Sequence, residues 1–185
     1  MNKKTSNTAD TKTKKPWSKL LVISLVITVA LLGSFIFYKM NFYSEMLSID
    51  GKKKQENFYE YGEITKTIIW YSNNKKESEM LIKNNKLNGL SKWFYKNGNK
   101  KSEINFKNDK KNGLLTFYYK DGTKKEEGNY ILGKPEGKHE FWYENGKKKS
   151  EVNFEDGKKD GKSTFWNEDG SEKGYNNYID GGLIR

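Results

Sequence analysis

The sequence NGLSKWFYKNGNKKSEINFKNDKK, residues 88–111, decides the fold of this chain. Its pattern returns over 112–135, 136–159 and 160–183, so one period of 24 residues covers the C-terminal half of the protein. Two glycine columns keep the period: Gly89, Gly113, Gly137, Gly161, and Gly98, Gly122, Gly146, Gly170. A fixed period of this length is typical of repeat proteins, in which each unit packs mainly on its neighbours.

Within the first unit, Asn97-Gly98 separates two runs that are rich in aromatic and alternating residues. This dipeptide is the strongest short-range signal for a β-hairpin, and it favours a two-residue turn with positive φ. In the resulting register Gly89 faces Phe106 across the hairpin, and each later unit repeats a glycine opposite an aromatic residue. A ring lying over a glycine of the neighbouring strand supports that register.

The two faces of the predicted hairpin differ in composition. Ser102, Ile104 and Phe106 alternate along the second strand and predict a buried face. The opposite face places Phe94 over Lys101 and repeats this aromatic–lysine pair beside a column of glutamates. We predict that a partner binds to seven residues of this opposite face: Phe94, Tyr118, Trp142, Trp166, Lys101, Lys125 and Lys149. The alternatives are purely structural cation–π contacts and ion pairs on a solvated face, or a sheet with both faces buried.

One hairpin is only marginally stable in water, so we expect successive hairpins to join edge to edge. Each adds two strands, or roughly 10 Å, to an elongated twisted sheet. A repeat-like piece runs from Ile49 to Gly62 and a degenerate unit covers 64–87, ahead of the four clear units. The sequence therefore predicts an all-β domain over 49–185, an antiparallel β-hairpin array of about five repeats.

The N-terminal part of the chain differs in kind from the repeats. Residues 1–15 are polar and lysine-rich, which predicts a disordered tail. The run from Leu20 to Tyr38 carries no charge, and its 19 residues are about as long as a helix that crosses a bilayer core. We therefore predict one N-terminal transmembrane α-helix over 16–40 and a connector over 41–48. A cleaved signal peptide is the alternative.

Flanking charge predicts the orientation of this helix. Six lysines precede Leu20, whereas Lys39 is the lysine that lies close behind Tyr38. Positive flanks stay in the cytoplasm. We therefore expect a single-pass protein of the cell membrane with a cytoplasmic N-terminus and an extracytoplasmic repeat domain.

Composition argues against several classes of function. The formal net charge is +11, but Arg185 is the only arginine, and recognition of phosphate and guanine favours guanidinium groups. The chain has no cysteine, which excludes disulfides and zinc–thiolate sites. His139, the only histidine, stands where other units have serine or leucine, and no catalytic motif occurs. We expect no enzyme activity, no cofactor, no metal site and no nucleic-acid partner.

Two units, GLSKWFYKNGNKKSEINFKNDKKNG from residue 89 and GKHEFWYENGKKKSEVNFEDGKKDG from residue 137, resemble MORN repeats. They are similar to the variant found in bacterial proteins of the YwqK-type antitoxin family. The first unit departs from the shared pattern at Asp109, where the later units have glycine. The resemblance covers about residues 49–185 and implies a β-repeat fold. It also implies binding of a partner protein, as in antitoxins, or membrane association and scaffolding.

These observations favour a membrane-anchored, non-enzymatic interaction or scaffold module. Its repeat surface is expected to bind a protein or a cell-envelope polymer. An antitoxin or immunity-type protein that neutralises a toxin is one alternative, and a peripheral lipid-binding domain is another.

Overall fold

The computed structural model describes the backbone of residues 26–31, 34–39, 42–49 and 53–184, and the side chains of 44–48 and 53–184. The predicted tail over 1–15 lies outside these residues. The predicted helix over 16–40 lies partly outside them, and it stays a prediction. Within its range, the backbone of β1 (Val26–Leu31) pairs with β2 (Ser34–Lys39) as a separate two-stranded sheet. No helix among the described residues has the length and apolar character needed to cross a membrane.

The remaining strands form one antiparallel sheet, in which the main strands pair in the order of the chain. They are β3 (Phe42–Ile49), β4 (Lys53–Glu60), β5 (Glu63–Trp70), β6 (Lys76–Lys83), β7 (Lys86–Leu87), β8 (Gly89–Phe94), β9 (Lys100–Lys107), β10 (Lys110–Tyr118), β11 (Lys124–Ile131), β12 (Lys134–Trp142), β13 (Lys148–Glu155), β14 (Lys158–Lys159), β15 (Gly161–Trp166), β16 (Glu172–Ile179) and β17 (Gly182–Ile184). The predicted antiparallel β-hairpin array is confirmed over the described repeats. The sheet begins with β3, which occupies most of the segment predicted as a connector.

The predicted pairing of glycine with an aromatic residue is confirmed in every clear hairpin. The partners are Gly89 and Phe106, Gly113 and Tyr130, Gly137 and Phe154, and Gly161 and Tyr178. Each of these glycines has a positive φ, between 69° at Gly137 and 105° at Gly113. Residues with a side chain rarely adopt this conformation, so the first glycine column is a backbone requirement.

The turn at Asn97-Gly98 differs from the prediction. The Tyr95 N–H donates to the Asn99 carbonyl at 2.9 Å, which closes a three-residue loop instead of a two-residue turn. Gly98 has a φ of 96°, whereas Asn97 is not among the left-handed residues. The Oδ1 atom of Asn97 instead accepts the Asn99 N–H at 3.1 Å. The asparagine is therefore a side-chain cap of the loop, and glycine alone supplies the left-handed conformation.

The two-residue turns join one hairpin to the next. Asn108 and Asp109 both have positive φ, 50° and 65°, and the corresponding pair Leu132 and Gly133 has 49° and 94°. Positive φ at both central residues is the mark of a type I′ turn. The departure from glycine at Asp109 has a reason, because its Oδ1 atom accepts the Leu87 N–H of the preceding repeat at 2.7 Å.

The two faces of the sheet are named by their residues. Face A carries Ser91, Trp93, Ser102, Ile104, Phe106 and their equivalents in the other hairpins, and face B carries Lys92, Phe94, Lys100, Glu103 and theirs. Over residues 53–184, close contacts join strands that are neighbours along the chain, and no second layer covers either face. Within these residues the sheet does not curl back on itself to bury both faces. Burial of both faces by pairing with a second copy stays an alternative.

The floor of face A is nevertheless buried, because rings on both sides shield a row of smaller side chains. The row consists of Ser91, Ile104, Leu115, His139, Val152 and Ser163, each exposed by 7% or less. The flanking rings are half-buried, as in the edge-to-face pair of Trp93 and Phe106 with centroids 6.1 Å apart. The predicted buried face is confirmed for this row and only in part for the rings.

His139 belongs to this floor. It is 1% exposed, and its ring packs edge-on against Tyr130 at 5.3 Å and Phe154 at 4.9 Å. Its Nε2 atom lies 2.8 Å from the Asn129 carbonyl oxygen, which accepts the hydrogen bond. A Cβ atom at Gly128 would lie only 2.2 Å from the imidazole, so the glycine makes the space that the histidine fills. The histidine is a packing residue.

Candidate binding surface

Each clear hairpin contains a β-bulge next to its three-residue loop. In the first, Trp93 pairs with Ser102 and Phe94 pairs with Lys100, so Lys101 is an extra residue without a cross-strand partner. The same register shift leaves Lys125, Lys149 and Lys173 as the extra residues of the later hairpins. These four lysines are called the bulge lysines below. A bulge bends its strand and redirects a side chain.

The predicted pairing of Phe94 with Lys101 is therefore wrong by one residue. The two-residue turn assumed for Asn97-Gly98 put the extra residue in the wrong place, and a slip of one residue exchanges the faces. The four aromatic residues of the predicted site do share face B, where all are half-buried. Its three lysines lie instead over a different column of rings, with Nζ-to-centroid distances of 6.0 Å for Lys101 on Tyr95, 5.5 Å for Lys125 on Tyr119 and 5.5 Å for Lys149 on Tyr143.

On face B the lysine one position earlier in the sequence takes the predicted place. These lysines form ion pairs with the glutamates three residues later, and together they are called the face-B ladder. The pairs are Lys76–Glu79 at 2.9 Å, Lys100–Glu103 at 3.0 Å, Lys124–Glu127 at 2.9 Å and Lys148–Glu151 at 3.0 Å. The hydrogen bond from Lys76 holds the pKa of Glu79 below its ordinary value, and the hydrogen bond to Glu103 raises the pKa of Lys100. The ladder thus neutralises its own charges.

The ladder also covers the aromatic rings of face B. Three of the ladder lysines place Nζ over a ring of the following repeat, at 5.2 Å for Lys100 on Tyr118, 5.1 Å for Lys124 on Trp142 and 5.5 Å for Lys148 on Trp166. The fourth, Lys76, lies over Trp70 of its own repeat at 5.9 Å. The Tyr118 hydroxyl donates to Glu103 Oε2 at 2.9 Å. Contacts of this kind contribute about 0.5–1 kcal/mol each to a sheet. The charged groups and rings of face B thus interact with one another, as the alternative of structural cation–π contacts and ion pairs predicts.

The bulge lysines have different surroundings. Lys101, Lys125, Lys149 and Lys173 are all exposed, and none forms an ion pair within residues 53–184. In the degenerate repeats, the positions equivalent to Lys101 are occupied by Lys53 and Glu77. These two residues form an ion pair, with Lys53 Nζ 2.7 Å from Glu77 Oε2. At this one position of the repeat, the lysines without an ion pair within residues 53–184 are therefore those of the four clear hairpins.

The bulge lysines border the aromatic side of face A. At the C-terminal end, Lys149 and Lys173 line a cavity of about 500 Å³ together with Ser150 and Phe165. Gly174 and Asn176, which also line the cavity, stand where the preceding hairpin has Ser150 and Val152. Cations beside half-exposed rings and an open cavity are features of a ligand surface.

Tyrosine hydroxyls hold successive hairpins in line. Each donates to a backbone carbonyl of the next repeat, from Tyr95 to Tyr118 at 2.8 Å, from Tyr119 to Trp142 at 2.9 Å and from Tyr143 to Trp166 at 2.8 Å. The last clear unit, residues 160–183, has Asn167 in this column. Because these rings underlie the bulge lysines, the hydroxyl bonds also fix the lysine spacing. The role of this tyrosine column was not predicted from the sequence, although the change from tyrosine to asparagine in the last unit was a visible signal.

Three segments of this sheet, residues 87–108, 111–131 and 135–156, match the family model of the MORN repeat variant. The hairpins of these segments are thus similar to MORN repeats, which supports the resemblance that the sequence pattern predicts. The finer resemblance to YwqK-type antitoxins stays a prediction. No curated protein matches the chain.

Proposed function

We propose that the chain is a membrane-anchored, non-enzymatic binding module whose repeat sheet holds a protein or polymer of the cell envelope. One observation carries this proposal. The bulge lysines are exposed, have no ion pair within residues 53–184, and lie beside the half-buried rings of face A. The binding role is thus proposed for Lys101, Lys125 and Lys149 of the predicted set, joined by Lys173. The aromatic residues predicted with them are proposed to support the sheet.

Charge and geometry support the choice of this surface. Successive bulge lysines are separated by two strands, or roughly 10 Å, which is close to the screening length in physiological salt. Four like charges at that distance repel one another weakly. An anionic partner that binds all four relieves this repulsion. Because they belong to one sheet, binding at one position raises the effective concentration of the partner at the next.

The tether and the orientation are part of the proposal. They rest on the uncharged run of Leu20–Tyr38 and on the lysines that precede it. Protease added to intact spheroplasts is expected to degrade the repeat domain and to spare a cytoplasmic N-terminal tag. Full protection of the repeats would reverse the orientation.

Site-specific photocrosslinking tests the binding surface in the full-length chain. A benzophenone side chain at position 125 is expected to capture an envelope component. The matched control is position 114, because Leu114 is 46% exposed and lies in the same hairpin next to the floor residue Leu115. Capture from position 114 alone would move the surface to face B, and capture from neither position would contradict a binding function for this hairpin.

A second candidate is an antitoxin or immunity-type protein, favoured by the resemblance of the repeats to YwqK-type proteins. It requires one dedicated protein partner. Co-purification of the full-length chain with the product of a neighbouring gene, at a fixed stoichiometry, would support it. A lipid-binding role is the third candidate, since a lysine near an anionic surface contributes about 1 kcal/mol. Salt-sensitive binding to anionic vesicles would support that role.

A further inference from the structure

We infer that the partner is a linear anionic polysaccharide with one carboxylate per disaccharide, bound along the bulge lysines beside face A. This inference rests on the proposed function and names its ligand class. It draws on the spacing of the lysines, their chemistry, the twist of the sheet and the cavity at its C-terminal end.

The bulge lysines are regularly spaced. The four hairpins place the same residue type, lysine, at the same bulge position, one every two strands or roughly 10 Å. A folded protein partner presents unlike residues, and its affinity usually depends on a few central contacts. Identical subsites at a constant spacing fit a ligand whose own chemical units repeat. One disaccharide of an extended β-linked glycan is comparable in length to one repeat of the sheet.

The chemistry of the bulge lysines favours a carboxylate ligand. A lysine ammonium is a compact point charge on a flexible stem, which suits a carboxylate on a mobile chain, whereas planar recognition of phosphate favours arginine. No arginine lies within the described residues. Each bulge lysine of the first three clear hairpins lies over a tyrosine ring, and the rings of face A are half-exposed nearby. The electron-rich face of such rings attracts the polarised C–H groups of a sugar.

The twist of the sheet favours a polymer over a bilayer. Adjacent strands in a sheet are rotated by roughly 20–25°, so successive bulge lysines are rotated by roughly 40–50° about the long direction of the sheet. A flat membrane therefore meets only part of the column at one time. A flexible chain winds with the twist and contacts all four lysines.

The polymer site ends at the cavity of about 500 Å³. Lys149 and Lys173 stand at its wall, Phe165 provides a ring, and Asn176 provides amide donors and acceptors for hydroxyl groups. Gly174 leaves the space open, because a Cβ atom there would have no neighbour within 4 Å. This cavity has room for a sugar ring of the terminal unit.

Calorimetric titration of the full-length chain in detergent micelles tests the inference, with hyaluronate oligosaccharides of increasing length as probes. Affinity is expected to rise up to four disaccharides and then to level off, since four lysines are available. The variant K101Q/K125Q/K149Q/K173Q is expected to bind about 30-fold more weakly. The control K83Q/K86Q/K107Q/K110Q removes the same charge from exposed lysines near the two-residue turns, and it is expected to change affinity by about threefold or less.

Three results would overturn the inference: an equal loss in both variants, equal affinity for neutral chitin oligosaccharides, or tighter binding of polyglutamate or phosphatidylglycerol vesicles. An equal loss of affinity in both variants would mean that the affinity depends only on net charge. Failure of the polysaccharide inference can be distinguished from failure of the proposed function. If hyaluronate does not bind while crosslinking from position 125 still captures an envelope component, the ligand class is wrong and the binding surface stands.

Discussion

Lys100 and Lys101 are neighbours in the chain, yet they belong to different parts of the molecule. Lys100 lies 3.0 Å from Glu103 and 5.2 Å from the centroid of the Tyr118 ring, both on face B. Lys101 is the extra residue of the bulge, lies 6.0 Å from the centroid of the Tyr95 ring and has no ion pair within the described repeats. The difference teaches that one inserted residue per hairpin separates a structural cation from one that is available to a ligand.

The comparison extends to the two faces. Face A is stabilised by steric fit between rings and a buried floor, whereas face B is stabilised by ion pairs and cation–π contacts. Packing is sensitive to volume and indifferent to salt, while partly exposed charge pairs have the opposite sensitivities. Each of the following changes tests one side of that difference.

The largest effect is expected from Gly128→Ile on the floor of face A. A Cβ atom there meets the His139 imidazole at 2.2 Å, so we expect the free energy of unfolding to fall by about 3 kcal/mol. Adding His139→Ser should restore most of the loss, because Ile104 already lies between Ser91 and Leu115 in the sheet. Urea denaturation followed by circular dichroism measures both. A tolerated single substitution would show that face A is not closely packed.

A smaller effect is expected at the joints between repeats. Tyr119→Phe removes the hydroxyl that donates to the Trp142 carbonyl at 2.9 Å but keeps the ring beneath Lys125. We expect a loss of about 1 kcal/mol in the free energy of unfolding. Tyr175→Phe is the matched control, since Tyr175 is 58% exposed. Equal denaturation midpoints for the two variants would show that these tyrosine hydroxyl bonds do not align the repeats.

On face B, Glu140→Gln is expected to cost about 0.5–1 kcal/mol at pH 7 and less in high salt. Glu140 lies 2.6 Å from Lys148 Nζ, and this hydrogen bond holds the pKa of the carboxyl below its ordinary value of 4.5. A lowered pKa stabilises the fold above 4.5 and stops doing so as the pH falls through the lowered value. The difference between wild type and variant should therefore vanish in acid. A difference that persists at pH 2 would show that it does not arise from charge.

The smallest effect on stability is expected at a bulge lysine. Lys125→Gln should leave the free energy of unfolding within about 0.5 kcal/mol of wild type, because the side chain is exposed and has no ion pair in the described sheet. Lys124→Gln is the neighbouring control, and it should cost more because Lys124 lies 2.9 Å from Glu127. Thermal unfolding in low salt compares the two. The reverse order of stabilities would mean that the bulge lysine is structural and would break the comparison.

Much of the fold followed from local signals in the sequence. The 24-residue period, the alternation of Ser102, Ile104 and Phe106, and the pairing of Gly89 with Phe106 were all predictable. The turn type at Asn97-Gly98 was not, because the same dipeptide suits a two-residue turn and the cap of a three-residue loop. Because of that single difference, Lys101, Lys125 and Lys149 do not lie on the face predicted for partner binding. The place of His139 was also beyond sequence reasoning, since it depends on Gly128 in the neighbouring strand.

The sequence by itself determined a β-hairpin array, its repeat length and the glycine positions that need a left-handed backbone. These are properties of one hairpin, and glycine, asparagine and alternating apolar residues encode them locally. The tertiary structure alone decided which of two consecutive lysines is paired with glutamate and which is free. The reason is that this choice depends on hydrogen bonding between strands, where one extra residue changes the face on which every following side chain lies.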